Sequence, residues 1–202
     1  MNKRADKPLA VVPYDTGKSY DFFEDKISFE NGSIYYKDIR GFGYLLSRTK
    51  NSIDFIPTYN SSEYRVKFDI GESKPLVIGK SASAPLFLKT NKQQTINLIF
   101  VELVKCIDAL IAPSVFVKCM ESYRKNGSIS IGDLTITEHG IAAKSTFRTK
   151  TLLAGDYSGT TAHQGHAYIA NSEGKIFKSI SLLEINAPLL QPILDTLYSN
   201  NA

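Results

Sequence analysis

Apolar side chains recur at helical spacing over one long stretch, residues 91–111. They stand at Ile96, Ile99, Phe100, Leu103, Val104, Ile107, Leu110 and Ile111. That spacing lays a continuous apolar stripe along one side of a helix and leaves Asn97, Glu102, Lys105 and Asp108 opposite. Thr90 or Asn91 supplies the cap. Ala112-Pro113 ends this helix, because proline has no N–H to donate and disfavours helix in the residue before it. A shorter helix follows at 115–125, capped by Ser114, with Phe116, Cys119, Met120 and Tyr123 on one side. Gly127 is placed to close it in the left-handed conformation. A last amphipathic helix is predicted at about 187–199. Asn186 is its N-cap, Pro188 lies in its first turn, and Leu189, Leu190, Ile193, Leu194 and Leu197 share a face.

The remaining apolar positions follow strand periodicity. Residues 26–29 and 33–36 flank Glu30-Asn31-Gly32, a tight hairpin turn. Gly41-Phe42-Gly43 leads into a strand at 44–46, and 53–56 forms another, stopped by Pro57. From 63 to 70 the alternation is strict, with Tyr64, Val66, Phe68 and Ile70 on one face. Short runs at 76–78 and 86–88 complete the first half. In the second half, strands at 129–131 and 134–137 flank Gly132-Asp133. Strands at 141–147 and 151–154 follow, then a hairpin of 167–170 with 176–180. Residues 48–52 and 60–62 are polar and read as turns, 79–85 as a mobile loop, and 1–8 as a frayed end. The fold class expected is α+β, mainly antiparallel β, with a helix closing each run of strands.

Composition adds boundaries. The 202 residues suffice for one large domain or two small ones, and 43% hydrophobic with 22% charged residues is ordinary for a chain with a buried core. Two cysteines, Cys106 and Cys119, are too few for a disulfide scaffold and are expected as reduced thiols. The apolar run 8–13 is too short for a secretory leader, and no run approaches the ~20 residues of a membrane span. The expectation is a cytoplasmic protein with no transmembrane segment. The net charge of +4 lies wholly in residues 1–92, which hold 15 basic and 11 acidic residues. The rest is balanced at nine of each, and acids are interleaved throughout. No basic stripe marks a nucleic-acid partner.

The two halves repeat a rhythm. Glu30-Asn31-Gly32 and Glu138-His139-Gly140 each join a hairpin, Ile39 and Phe147 each lie seven residues beyond that glycine, and each half closes with an amphipathic helix. With Gly140-Ile141, Glu173-Gly174-Lys175 and the helix of Ile185, Leu190, Ile193 and Leu194, residues 129–198 resemble the pleckstrin-homology-like fold, in the tandem arrangement of some bacterial proteins. The resemblance implies two pleckstrin-homology-like curved sheets or barrels, each closed by a C-terminal amphipathic helix. The first occupies 1–112, with its helix at about 91–111. A bridging helix spans 113–127, and the second unit occupies 128–202. It also implies a non-enzymatic module that binds a protein, peptide or anionic lipid headgroup.

Candidate chemistry is sparse. Lys144, Arg148 and Lys150 share parity on one strand, and three cations on one face could hold a phosphate. Arg40, Arg48 and Lys50 are the counterpart in the first half. His163 and His166 make half a metal site at best, so no metal and no cofactor are expected. Gly79-Lys80-Ser81 lacks the first glycine of a phosphate-binding loop, with Lys74 in its place and no helix following. No local catalytic motif is present. Two further readings stand beside the binding module. One is an enzyme or small-ligand binder with a pocket between the halves, lidded by 79–85 and 160–165. The other is a homo-oligomer joined through an exposed sheet edge.

Overall fold

The long helix forms where its stripe predicts. In the computed structural model, which describes residues 7–53, 56–85, 91–145 and 148–198 (50–53, 56–60 and 84–85 as backbone alone), α1 spans Asn91–Leu110. Ile96, Ile99, Leu103 and Ile107 are buried along it. It packs on strands of the N-terminal half and on α2 (Ala112–Asn126). Pro113 sits in the first turn of α2 rather than before it, where its missing N–H costs no hydrogen bond. Ser114 does not cap α2: its hydroxyl donates back to the Ile111 carbonyl at 3.0 Å. Gly127 closes α2 as expected, at φ 70°, with its N–H on the Tyr123 carbonyl.

Fourteen strands form four antiparallel sheets among the described residues, none closed into a barrel. The first is a meander of β1 (Ala10–Asp15), β2 (Lys18–Phe22), β3 (Lys26–Phe29) and β4 (Gly32–Tyr35). A 3-10 turn at Tyr36–Asp38 leads to a second, of β5 (Gly41–Ile53), β6 (Ile56–Asp69) and β7 (Leu76–Pro85). After α1 and α2 the order recurs. β8 (Ile129–Ile131), β9 (Leu134–Thr137), β10 (Gly140–Lys144) and β11 (Thr149–Leu153) form a four-stranded sheet. A 3-10 turn at Ala154–Asp156 leads to the three strands β12 (Tyr157–His163), β13 (His166–Asn171) and β14 (Ile176–Ser181). The chain then passes through a 3-10 turn at Ala187–Leu189 into α3 (Leu190–Tyr198). The fold is α+β, with mainly antiparallel strands and three α-helices.

Several expectations are corrected. Residues 48–52 lie inside β5 and 60–62 inside β6, because β5 and β6 pair along a long hairpin from Gly41↔Asp69 to Ile53↔Ile56. Residues 79–85 are strand too, running to Pro85 opposite Tyr59. Backbone pairing carries these polar stretches where no hydrophobic face could. The two matched turns occupy different places. Glu30-Asn31-Gly32 precedes the fourth strand of its sheet, whereas Glu138-His139-Gly140 precedes the third. The recurring landmarks are instead the 3-10 turns ending at Asp38 and Asp156. Residues 86–88, Thr90, Phe147 and 1–6 lie outside the described residues.

The helices remain with their own strands. α3 packs on β12, and the Tyr198 hydroxyl donates to the Thr137 carbonyl at 2.8 Å. Yet the buried side chains of both halves join in one connected cluster. Part of that connection is α2. From it Lys118 donates Nζ hydrogen bonds to the carbonyls of Tyr36 at 3.3 Å, Lys37 at 2.7 Å and Ile39 at 2.7 Å, clasping the first 3-10 turn.

Candidate functional site: a half-covered strand edge between the halves

The other connection lies at β5. Its first residues alternate glycine with aromatic, and both glycines face segment 182–186 of the second half. A Cβ on Gly43 would stand 2.6 Å from the Leu183 carbonyl oxygen and 2.7 Å from that of Glu184. One on Gly41 would stand 2.4 Å from Ile185 Cγ2. With no side chains there, the two backbones approach closely enough to pair. The Asn186 N–H donates to the Phe42 carbonyl at 2.7 Å, and the Tyr44 N–H donates to the Leu182 carbonyl at 2.8 Å. Asn186 stands left-handed, at φ 66°, at the N-cap of the 3-10 turn, but its side chain makes no cap hydrogen bond. Its Oδ1 instead accepts the Phe42 N–H at 3.3 Å.

Segment 182–186 is a run of turns rather than a strand, but its backbone satisfies the outer edge of β5 at Phe42 and Tyr44, and it reaches no further than Tyr44. Because N–H groups alternate in direction along a strand, those of Leu46 and Arg48 point the same way as those of Phe42 and Tyr44. They have no partner among the described residues. This open edge forms one wall of a cleft of about 730 Å³ lined by 44–48, Phe100 of α1, the 164–166 turn and Leu182. Tyr44 and Phe100 meet edge to face, ring centres 6.0 Å apart. Gly165, at φ 78°, carries no side chain where the Leu45 Cδ1 lies against it, and its carbonyl accepts the Leu182 N–H at 2.9 Å.

The cleft's electrostatics lean positive. Arg48 and His166 are exposed in its lining, which contains no acid. Asp108 stands nearby, engaged by the Tyr44 hydroxyl at 3.5 Å. Burial raises the Asp108 carboxyl above its ordinary pKa, and the hydroxyl's hydrogen bond opposes that. Burial also holds the Tyr44 phenol well above its usual value, with Asp108 adding to the rise.

The basic residues singled out in the sequence do not converge as expected. The expected 141–147 strand stops at Lys144 and β11 begins at Thr149; between them the Ser145 N–H and hydroxyl both donate to the Arg148 carbonyl, at 2.9 and 2.7 Å. Lys144 ends β10 opposite Thr149, while Lys150 lies on β11 opposite Ala143. Directly opposed residues share a face and neighbours alternate, so Lys144 and Lys150 point to opposite faces. All three side chains are exposed. Arg40 is exposed beside the backbone of Gly71, its N–H on the Asp69 carbonyl at 2.7 Å. Lys50 stands on β5 opposite Asn60, and its side chain is outside the described set. Of the five whose side chains are described, Arg48 alone lines the cleft.

The supposed lids are not loops. Residues 79–85 belong to β7, and 160–163 belong to β12, joined to β13 by the two-residue turn Gln164-Gly165. His163 and His166 face each other across that turn, both exposed. Among the described residues no group of three or more His, Cys, Asp or Glu gathers as a metal site. No helix there is long and apolar enough to cross a membrane. Both cysteines are free thiols, and burial pushes that of Cys119 up to about 11. The close approach beside the cleft has a sequence signal, although the segment that approaches does not. Glycines at alternate positions of a strand, as at Gly41 and Gly43, mark a close backbone approach. No protein-family model matches the chain, and no curated protein matches it.

Proposed function

We propose that the chain is a non-enzymatic interaction module of two successive pleckstrin-homology-like units, which takes a protein or peptide partner in the cleft between them. The recurring order of four strands, a 3-10 turn, three strands and a helix supports the two-unit reading. One observation carries the binding reading: the edge of β5 is hydrogen-bonded by segment 182–186 at Phe42 and Tyr44, then lies open at Leu46 and Arg48 within a cleft. Exposed strand edges pair with other chains unless something blocks them. A photo-cross-linking amino acid at Ser47 should give a discrete adduct in native lysate, and the same group at exposed Lys175 should not. Equal adducts, or none at Ser47, overturn the reading.

The same cleft supports a second reading. A volume of about 730 Å³ with mixed polar and apolar walls is within the range of small-ligand pockets. A metabolite that raises the melting temperature, and loses that effect on Phe100→Ala, would favour it. Lipid binding has lost its single-face argument at Lys144, Arg148 and Lys150. Sedimentation with anionic liposomes, compared with Lys144→Ala plus Arg148→Ala, tests what remains of it.

A further inference from the structure

The nature of the partner follows from what the cleft leaves unpaired. This step rests on the interaction-module reading and specifies its ligand. Three features coincide. The backbone groups of Leu46 and Arg48 point from β5 into the cleft, continuing the row already used by 182–186. The Arg48 guanidinium is exposed with no carboxylate beside it among the described residues, and no acid lines the cleft. An apolar wall of Phe100 and Leu182 stands within the same space.

The geometry points to an extended acidic peptide segment that adds as a strand to β5 at Leu46 and Arg48. It sets a carboxylate on Arg48 and an apolar side chain against Phe100. Main-chain hydrogen bonds to the edge supply affinity that tolerates sequence, and side-chain pockets supply selection. A guanidinium meets a carboxylate through two parallel N–H donors, which makes Arg48 the selecting group. Segment 182–186 holds the neighbouring stretch of the edge, so the incoming strand is confined to the part beyond Tyr44.

The test uses the full chain and random dodecamer peptides presented by mRNA display. Selected peptides should carry Asp or Glu at one recurrent position and an apolar residue near it. The synthetic peptide should slow hydrogen exchange at the Leu46 and Arg48 amides at least tenfold, read by NMR. N-methylation of alternate peptide amides should weaken binding at least tenfold. Selection on Arg48→Glu, an exposed substitution that leaves the fold intact, should replace the acid with Lys or Arg. Peptides that bind in the cleft without slowing those two amides would overturn strand addition and leave the module reading standing. An unchanged acidic preference on Arg48→Glu would overturn the carboxylate assignment. If no dodecamer is enriched, the peptide assignment falls, and the module reading is decided separately by the Ser47 adduct.

Discussion

Replacing Gly43 by alanine tests whether the two halves are held together by a backbone seam. The added Cβ would lie 2.6 and 2.7 Å from two backbone carbonyl oxygens, of Leu183 and Glu184. Neither atom is the tip of a flexible side chain, so segment 182–186 must move. The displacement costs three hydrogen bonds: Asn186 to Phe42, Phe42 to Asn186 and Tyr44 to Leu182. At about 1 kcal/mol net each, the loss is about 3 kcal/mol. Alanine recovers about 0.5–1 kcal/mol through the lower entropy of its unfolded chain. The net expectation is therefore a destabilisation of about 2–3 kcal/mol. For a chain of this size that is roughly 5–10 °C in melting temperature. Urea unfolding of Gly43→Ala beside Gly155→Ala measures it, since a Cβ on Gly155 meets nothing within 4 Å. The Tyr44 amide should also exchange faster. If both variants unfold at the same urea concentration, the seam does not hold the halves and the cleft has no fixed wall.

Three further outcomes are expected. Lys118→Met removes all three hydrogen bonds from α2 to the first 3-10 turn and should cost about 1–2 kcal/mol in urea, with a loss under 0.5 kcal/mol counting against the clasp. The buried hydroxyls of Tyr20 and Tyr64 meet at 3.1 Å, so Tyr64→Phe should cost about 1–2 kcal/mol by stranding its partner. The double variant with Tyr20→Phe should cost less than the two single changes summed, and strict additivity would refute the pairing. Burial raises the Tyr36 and Tyr157 phenols to about 12 and also lifts Tyr20, Tyr44, Tyr64 and Tyr198. An acid whose pKa is higher folded than unfolded keeps its proton only in the native state. The stability is thus intact below pH ~10 and falls as pH climbs toward 12, by up to about 1.4 kcal/mol per pH unit for each buried phenol. Tyrosinate absorbance equivalent to all eleven tyrosines, reached before loss of circular dichroism, would contradict it.

How far the sequence could be read depended on what each element is made of. α1 was legible because Ile96, Ile99, Leu103 and Ile107 recur at helical spacing and are buried. The core of β6 was legible for the same kind of reason, with Tyr64, Val66 and Phe68 fully enclosed. The outer reach of the β5–β6 hairpin was not, because 48–52 and 60–62 are polar in sequence yet paired as strand. Parity misled at Lys144 and Lys150, since the two lie on separate, paired strands, β10 ending at Lys144 and β11 beginning at Thr149. Arg48 was singled out for its charge, yet its setting depends on glycines 41 and 43 and on a segment about 140 residues later in the chain. No local pattern encodes such a meeting.

That separation has a cost during synthesis. At roughly 5–20 residues per second, the stretch that shields Phe42 and Tyr44 follows them off the ribosome by roughly seven to thirty seconds. Throughout that interval the nascent N-terminal sheet has its whole β5 flank bare, including residues that the finished protein conceals. Neighbouring nascent chains on one polysome could pair there, and slower translation of the second half would lengthen the exposure. Coding changes that touch no contact in the finished molecule would then alter how much of it reaches the cell in usable form.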